Sequence, residues 1–435
     1  MVINGGCFRS YGGPWSARGH GSEVETGLGS VNSLSQKQAP CGDAQAVGKP
    51  EEPTAGSNWS AAVTNFNGEA LVCETIASIK HLEPPPSEIL LVDDGSTDAG
   101  LARVRDEHPD VRVVSLGRNT GVLNIVRNRA LHEARHRYVL IADNDVTFAP
   151  DAVRHLMETL QEREDAAACT PLIVAADDRQ TLLAQGHRMH FLGWSTVPRA
   201  TTVDGARELG EHKAVGCGIQ LIDKARSAPV GFFDEDLVLG WGDDGEFHLR
   251  LQLAGLGCYT VPSAIVFHRR VREQSRFYGL LHNRWLMLLK VYQWRTLVMI
   301  APALLAYELL LAVQLVGMGI GREYGRALRD VAGNFPRTVR QRRHAQAMRR
   351  VADGDILSAD RLAAPRRLWE RKTIRVGLNA LSTGFRFYWA LVRPFLRWQR
   401  PGTGVAARPT GQARPPSSRP PAPATAPTKP TRHAR

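Results

Sequence analysis

The sequence predicts an α/β protein with a doubly wound, mostly parallel sheet and flanking helices, and three observations support this. Short apolar runs alternate with segments of helical spacing between residues 59 and 143. Each run has the length of one buried strand, and each intervening segment has the length of a crossover helix. Two runs end in aspartates, in "VDDGS" and "ADNDV". Because parallel sheets bind ligands beyond the carboxyl ends of their strands, the aspartates predict a site there.

The alternation predicts four strands and three helices before residue 144. The strands are expected at 59–66, 84–94 (after a Pro-rich turn), 111–116 and 138–143, and the helices at 69–82, 99–108 and 121–135. Beyond residue 170 the pattern is less regular. We expect a strand over 212–223, an acidic loop followed by a helix over 232–257, and a strand ending in a basic turn over 258–271.

Charge divides the 435 residues unevenly. Residues 59–290 carry a net charge of −6 and residues 291–435 carry +19. Residues 1–58 and the basic tail 401–435 lack hydrophobic periodicity, so we expect both to be disordered. This leaves a predicted catalytic domain over 59–290 and a predicted membrane-associated helical region over 291–400. The basic C-terminal third indicates a polyanionic partner.

Cysteine spacing and the N-terminus point to the cytoplasm. The six cysteines form no C-x-x-C pair, which is typical of a reducing compartment. No apolar run follows Met1, so no secretory signal is expected.

Asp143 and Asp145 follow the strand "YVLIA" directly. Two carboxylates one residue apart can face one cation, and Mg²⁺ takes one or two carboxylates plus substrate phosphates. An Asx-turn that caps the next helix is the simpler interpretation of such a short motif. Asp93, in "EILLVDD", ends another strand, where a carboxylate can accept from the imide N–H of uracil or thymine.

An acidic loop, "GWGDDGEF", places Asp243, Asp244 and Glu246 beside Trp241. Helix capping would explain acids at the start of a helix. Like charges close together also raise a carboxylate pKa, which suits a general base. Upstream, Arg127 in "VRNRAL" can face a nucleotide or simply solvent.

Taken together, these motifs resemble family 2 glycosyltransferases of the GT-A fold. The motifs that carry the resemblance, in the family's order, are "VTNFNG", "VDDGSTD", "VRNRAL", "ADNDV", "VGFFDED", "GWGDDGEFHLRL" and "FYGLLHNRWLMLLK". The resemblance covers about 59–290, and its last motif is similar to a rhamnosyltransferase-like, cell-envelope branch. "GWGDD" also resembles the Trp-Gly-x-Glu-Asp loop of galactosyl-type transferases, so the donor sugar stays open.

The resemblance implies a nucleotide site at the first strand ends. Thr64 and Phe66 match positions that pack on the base, although Phe66 lacks the phenol of the usual Tyr. Asp93 matches the acid that accepts from the base imide. Arg127 matches an arginine near the nucleotide, and Asp143 matches the first acid of the D-x-D motif, near ribose and metal.

The resemblance also implies a metal and a base. Asp145 matches the ligand of a divalent cation, Mg²⁺ or Mn²⁺, that grips the diphosphate. His268 matches a further metal ligand of some members. Asp244 matches the catalytic base, with Asp243 where Glu is usual. The implied reaction is a single displacement with inversion, from a UDP- or dTDP-linked sugar to an envelope glycan or lipid-linked acceptor.

The C-terminal third predicts membrane association. Residues 296–321 contain a single charge, Glu308, and are long enough to cross a bilayer. The region that follows is more basic, which opposes a single crossing from the cytoplasm. We therefore expect a re-entrant or interfacial hairpin that breaks at Pro302, on the cytoplasmic face of the membrane.

A second stretch, 374–400, has basic and aromatic residues at helical spacing. Its arginines fall on one helical face, and they are Arg375, Arg386, Arg393 and Arg397. The apolar complement is Phe385, Tyr388, Trp389 and Leu396. This pattern favours a lipid surface. No nucleic-acid recognition motif frames these arginines, so nucleic acid is not expected.

Three other functions fit parts of the sequence. In a haloacid-dehalogenase-type phosphatase, "VLIADNDVT" would supply Asp143 as nucleophile and Asp145 as general acid. That motif normally opens its domain, whereas three predicted strands precede it here. A nucleotidyltransferase needs a Gly-rich loop that "TNFNGEA" lacks, and a non-catalytic scaffold leaves the acidic strand ends without a role.

Overall fold

The computed structural model describes residues 58–196, 200–238, 242–269, 277–362 and 372–397, with side chains from residue 376 in the last segment. The segments predicted to be disordered lie outside these residues, except for residue 58. Trp241 also lies outside them.

The described strands belong to one ten-stranded sheet. They are β1 Trp59–Asn65, β2 Glu88–Asp93, β3 Arg112–Ser115, β4 Tyr138–Asp143, β5 Val146–Phe148, β6 Ala166–Ala175, β7 Leu182–Ala184, β8 His212–Ala214, β9 Gln220–Asp223 and β10 Gly257–His268. The sheet-flanking helices are α1 Val72–Lys80, α2 Gly100–Glu107, α3 Leu123–Glu133, α4 Ala152–Glu162, α5 Val203–Leu209, α6 Lys224–Ser227 and α7 Gly245–Leu253. The C-terminal helices are α8 Phe277–Val291, α9 Trp294–Gly317, α10 Gly321–Gly333, α11 Phe335–Ala347, α12 Asp353–Ile356 and α13 Lys372–Leu396.

The strand order is β3-β2-β1-β4-β9-β6-β10-β5, and β7 and β8 pair with β6 and β10. β1 pairs in parallel with β2 and β4, and β2 with β3. β9 runs antiparallel to both β4 and β6, so β6 and its parallel partner β10 follow the direction of the first four strands. The predicted mostly parallel α/β sheet is therefore confirmed.

Strand residues alternate between two cores, as a pleat requires. In β1, Ala61 and Val63 face the core that also holds Ile76 of α1 and Leu156 of α4. Ala62 faces the opposite core, with residues of α3 and α7. The sheet is thus buried on both faces, which explains why its strands are near-continuous apolar runs.

The predicted single strand over 212–223 was wrong. His212–Ala214 pairs with β10, whereas Gln220–Asp223 pairs with β4 and β6. Between them Gly216 and Cys217 have φ values of 75° and 101°. Two consecutive left-handed residues cannot continue an extended strand, so the chain turns from one part of the sheet to another.

The predicted hairpin at Pro302 was also wrong, because α9 continues through Pro302 as one 24-residue helix. An internal proline costs about 3 kcal/mol through a lost hydrogen bond and a steric clash. Ile300, Ala303 and Leu304 are buried on either side of it. Their packing against the protein holds the helix together across the proline.

The predicted lipid-facing complement of 374–400 was wrong as well. Phe385, Trp389 and Leu396 are buried in the C-terminal core and Tyr388 packs against it. Arg393 donates to the Gly354 carbonyl. The aromatic side of this helix therefore packs against the protein, whereas the sequence predicted that it contacts the membrane.

One core joins the C-terminal helices to the segment between β7 and α5. Phe191 stacks on Trp389, with ring centroids 5.0 Å apart. Arg284 of α8 donates to the Leu192 carbonyl and lies 4.6 Å from the Trp194 ring. The division at residue 290 stays a prediction, because the packing continues across it.

Candidate active site

The carboxyl ends of β1, β2 and β4 bring the predicted residues together. Strand register sets Asn65 opposite Asp93, and Thr64 opposite Asp143. The Thr64 hydroxyl donates to Asp143 Oδ1 at 3.4 Å. Phe66 follows and is 8% exposed. The predicted nucleotide residues therefore share one edge of the sheet.

Asp93 closes a turn through hydrogen bonds with its neighbours. Its Oδ2 accepts from the N–H groups of Gly95 and Ser96, at 3.1 and 3.0 Å. Its Oδ1 accepts from Asn65 Nδ2 at 2.9 Å and from the Ser96 hydroxyl. Asp94 accepts from the N–H and hydroxyl of Thr120. Both carboxylates are fully buried, and all four of their oxygens accept from protein donors.

Asp145 and His268 meet through a strand pair. β5 lies antiparallel to β10, which sets Val146 opposite His268. His268 Nε2 lies 3.4 Å from Asp145 Oδ1, and both residues are nearly buried. Neither His268 ring nitrogen has a hydrogen-bond partner among the described residues. An imidazole and a carboxylate so placed suit Mn²⁺, and the carboxylates alone suit Mg²⁺.

Arg127 of α3 neutralises the acidic loop before α7. Its Nη1 donates to Asp243 Oδ2 at 2.9 Å, and its side chain is completely buried. Asn124, one turn earlier, donates to the carbonyls of Asp234 and Asp243 at 2.9 Å. This second contact fixes the loop backbone beside the cation. That Arg127 touches the nucleotide stays a prediction.

Burial raises the pKa of three carboxyls here. It raises the pKa of Asp243 to about 6, with Arg127 opposing and Asp244 adding to the rise. Burial also raises the pKa of Asp244 and of Asp143, again against Arg127. Asp244 Oδ2 and Asp243 Oδ1 meet no hydrogen-bond donor in the part of the chain that the structure describes. Each of these two acids therefore has a buried oxygen that accepts no hydrogen bond from the described residues.

Helix capping does not account for these acids. Asp244 occupies the N-cap position of α7, but its side chain makes no cap hydrogen bond. α4 begins at Ala152 after Asp151, with β5 between it and Asp145. The D-x-D acids therefore do not cap α4. The positive end of α7 instead favours the ionised form of Asp244.

The loop that leads to Asp243 is clamped by residues to which sequence reasoning gave no role. Asn128 exchanges two hydrogen bonds of 2.9 Å with the Phe233 backbone. Asn283 of α8 does the same with Val238, at 3.1 and 2.6 Å. Lys290 of α8, itself buried, pairs with Asp234 at 2.6 Å and Asp236 at 3.2 Å. Asn128 lies in "VRNRAL" and Asn283 in "FYGLLHNRWLMLLK", so the motifs that carry the family resemblance already contained both residues.

His248 ties α7 to the turn after β8. Its Nδ1 accepts from the Gly216 N–H at 3.0 Å, so its Nε2 carries the proton and donates to Gln220 Oε1 at 2.9 Å. Burial lowers the pKa of His248 to about 3. A neutral imidazole one turn after Asp244 adds no positive charge beside the acid pair.

A cavity of about 490 Å³ opens beside Asp145. Arg179 and Arg269 line it, together with Glu74 and Phe267. Arg179 lies 4.8 Å from the Phe267 ring, and Arg269 pairs with Glu74 at 2.7 Å. The cavity thus sets arginines, the usual phosphate-binding residues, next to an acidic metal-type site.

Comparison with known proteins decides the class. The family model described as Glycosyl transferase family 2 matches residues 60–222. Residues 60–222 of the chain therefore match family 2 glycosyltransferases. The match spans β1 to β9, including Asp93, Asp143 and Asp145, and ends before Asp244 and His268.

Curated relatives of this glycosyltransferase belong to envelope and polysaccharide synthesis. It is 26% identical over 224 residues to the N-acetylglucosaminyl-diphospho-decaprenol L-rhamnosyltransferase of Mycobacterium tuberculosis H37Rv, covering 46% of this chain and 72% of that one. It is 23% identical to the poly-beta-1,6-N-acetyl-D-glucosamine synthase of Staphylococcus epidermidis RP62A, covering 59% and 63%. Among solved structures, GalNAc-T7 with UDP, GalNAc and Mn²⁺ aligns with a TM-score of 0.47 and 17% identity, covering 55% of this chain and 48% of that one.

These matches confirm the predicted class of enzyme, a glycosyltransferase whose residues 60–222 match family 2. The phosphatase reading loses its support, since β4 lies inside the sheet with three strands before it in the chain. The individual roles of the site residues stay predictions.

Proposed function

We propose that this glycosyltransferase moves a sugar from a UDP- or dTDP-linked donor to an envelope glycan or lipid-linked acceptor, with inversion at the anomeric carbon. The observation that carries the proposal is the pair of buried acids at the head of α7, beside the D-x-D end of β4. The pKa of Asp244 is raised, and one of its oxygens meets no donor among the described residues. A base needs both features.

In this proposal the base of the donor packs on Thr64 and Phe66. Asp93 accepts the imide N–H once the Ser96 hydroxyl rotates away, since both Asp93 oxygens otherwise hold protein donors. Asp143 faces the ribose. Arg269, in the cavity, faces the diphosphate.

Asp145 and His268 would hold a divalent cation, Mg²⁺ or Mn²⁺. When bound, it offsets the charge of the diphosphate leaving group. Asp244 accepts the proton of the acceptor hydroxyl as that oxygen attacks the anomeric carbon. Arg127 keeps Asp243 ionised beside it, so that the proton goes to Asp244.

The acceptor and the site of action follow from the relatives and from the C-terminal region. The mycobacterial relative is named for a decaprenol-linked acceptor. In this chain α9 is long and apolar enough to cross a membrane, although length and composition alone do not separate it from a core helix. We propose that the enzyme works at the cytoplasmic face of the cell membrane on an acceptor of this chemical class.

A thermal-shift panel tests the donor. UDP-, dTDP- and GDP-sugars are each added with Mg²⁺, with Mn²⁺ and with EDTA. We expect stabilisation by uracil or thymine nucleotides that depends on the cation. A response to GDP-sugars alone would contradict the Asp93 reading, and a response to phosphate monoesters alone would contradict the transferase site.

A further inference from the structure

We infer that the outward sides of α9 and α13 form one surface that lies flat on an anionic lipid bilayer. The inference rests on the proposed membrane location and names the surface, its orientation and its partner. We call this surface the lipid face. Its residues are Val298, Leu305, Leu309, Val313 and Val316 of α9 with Val376, Phe387, Leu391 and Phe395 of α13.

The α9 part is a continuous apolar stripe. Its five residues are between 64% and 74% exposed, which is unusual for valine and leucine. At 100° per residue they fall within an arc of about 80°, and at 1.5 Å per residue they span about 27 Å. So long an exposed stripe marks an interaction surface.

The α13 part runs beside it. Its four residues are between 55% and 67% exposed and fall within an arc of about 100°. The two helices are joined below that surface. The Tyr388 hydroxyl donates to the Met299 carbonyl, and the Phe385 ring lies 6.2 Å from that of Tyr307. The stripes therefore belong to one packed pair of helices.

The only charge between Thr296 and Gly317 points the other way. Glu308 Oε1 lies 2.5 Å from Arg284 Nη1, and Glu308 Oε2 accepts from the Tyr324 hydroxyl at 2.7 Å. Glu308 is 8% exposed. The lipid face thus keeps no acid on α9, and the acid serves to fix α9 to α8 and α10.

The protein-facing side of α9 indicates whether this helix lies flat on the membrane or crosses it. Thr296, Tyr307 and Leu315, which span α9 from its first to its last turn, are all buried by the protein. A crossing helix would have to separate this side from α8 and α13. That would leave Glu308 and Arg284 without each other in an apolar medium, at a large free-energy cost. Only a flat arrangement keeps the fold and covers the stripe.

The net charge of the C-terminal region favours a lipid bilayer, and not a second copy of the chain, as the partner of the lipid face. Residues 291–435 carry +19, so two copies repel at this end, whereas anionic headgroups attract it. Trp294, at the start of the stripe, is 49% exposed. Arg386 is exposed beside Phe387. Aromatic and basic residues at the edge of an apolar face are typical of an interfacial helix.

Vesicle flotation of the full chain tests the partner. The vesicles are phosphatidylcholine alone, or phosphatidylcholine with phosphatidylglycerol. The variant Leu309→Glu with Val313→Glu should bind the anionic vesicles at least about 10-fold less than the unchanged chain. The control Ala102→Glu with Gln161→Glu adds the same charge at exposed positions of α2 and α4 and should bind normally.

Equal binding by both variants would overturn the inference. So would a dimer, seen by light scattering without lipid, that the Leu309 and Val313 variant alone abolishes while it still binds vesicles. Both variants should keep the thermal shift with donor and Mn²⁺. A lost shift in the unchanged chain would count against the proposed function, not against the lipid face.

Depth measurement tests the orientation. An environment-sensitive dye is attached at Val298→Cys, Leu309→Cys or Val316→Cys, in a chain with Cys7→Ser and Cys41→Ser. The four described cysteines are buried, so labelling goes to the new position. A flat face predicts equal quenching of the three dyes by spin-labelled headgroups. Quenching that is strong at the ends and weak at Leu309 would mean a crossing helix and would overturn it.

Discussion

The two acidic groups at the carboxyl edge of the sheet differ in what their oxygens contact. After β2, Asp93 and Asp94 give both oxygens to protein donors, so the group is closed. Near β4 and α7, Asp243 and Asp244 each keep a buried oxygen that meets no donor among the described residues. We call Asp243 and Asp244 the open group, and Asp145 with His268 the predicted metal pair.

Two acidic motifs that look alike in the sequence can therefore have different roles, one structural and one in ligand binding or catalysis. A closed carboxylate shapes a turn, because both of its oxygens already accept from protein donors. An open, buried carboxylate is costly unless a cation or a proton joins it. We therefore expect ligand binding and catalysis at the open group. Substitutions in the two groups should have different effects on activity.

After loss of the catalytic base itself, the largest effect should come from the predicted metal pair beside the open group. Asp145→Asn, or EDTA on the unchanged enzyme, should lower transfer by about 10²- to 10³-fold, because the leaving-group charge is no longer offset. Transfer assays with added Mn²⁺ measure this. Asp151→Asn, an exposed acid at the start of α4, is the control and should change transfer little. Full activity in EDTA would remove the cation from the proposal.

The pH dependence of stability should report the buried charge of Asp243. Folding raises the pKa of Asp243 from 3.8 to about 6, so its protonated form is favoured by folding. Its contribution is present below pH 3.8 and is lost as pH rises through about 6. Relative to the unchanged chain, Asp243→Asn should therefore gain on the order of 3 kcal/mol between pH 4 and pH 7. Chemical denaturation across this range measures the difference, and a flat difference would contradict the raised pKa of Asp243.

The ion pairs of Lys290 on α8 should affect catalysis at the open group and leave the closed group unchanged. Lys290→Met removes a buried cation from Asp234 and Asp236, so the catalytic loop shifts. We expect kcat to fall about 10- to 100-fold while donor affinity holds. Arg337→Met is the matched control, since Arg337 also pairs with Asp236 but is largely exposed. Equal losses in both variants would argue against a specific clamp.

The smallest effect is expected from the closed group. Asp93→Asn should weaken UDP binding about 10-fold through one lost charge-assisted hydrogen bond, and should also lower stability by about 1 kcal/mol. Calorimetric titration and thermal unfolding measure the two. If stability falls and UDP binding does not, Asp93 only shapes its turn. A loss of several hundred-fold would move it into the open group.

The sequence predicted the first half of the fold closely, because each strand there is buried on both faces and stands out as an apolar run. The predicted strand 138–143 matches β4 to the residue. The break in 212–223 depends on two left-handed residues, one of them Cys217, which residue type does not reveal. Periodicity alone also cannot say whether the apolar side of a helix meets protein or lipid, so the protein-facing side of 374–400 was placed wrongly.

The same limit applies to the site. Motif order led to Asp143, Asp145 and Asp244, and the structure brings them to one edge. Partners far apart in the chain were not predictable, since the pairing of Arg127 with Asp243 and of Lys290 with Asp234 depends on how the helices pack. The local sequence does not predict that both oxygens of Asp93 accept from protein donors, whereas one oxygen of Asp244 accepts from none of the described residues.

The most direct test is Asp244→Asn, with transfer and donor binding measured on the same preparation. The variant keeps the size of the side chain and removes the base. We predict that kcat falls at least about 10³-fold, within the range that general-base catalysis supplies, while the affinity for the UDP- or dTDP-sugar with Mn²⁺ stays within about twofold. Transfer that persists, or donor affinity that collapses together with kcat, would contradict the account.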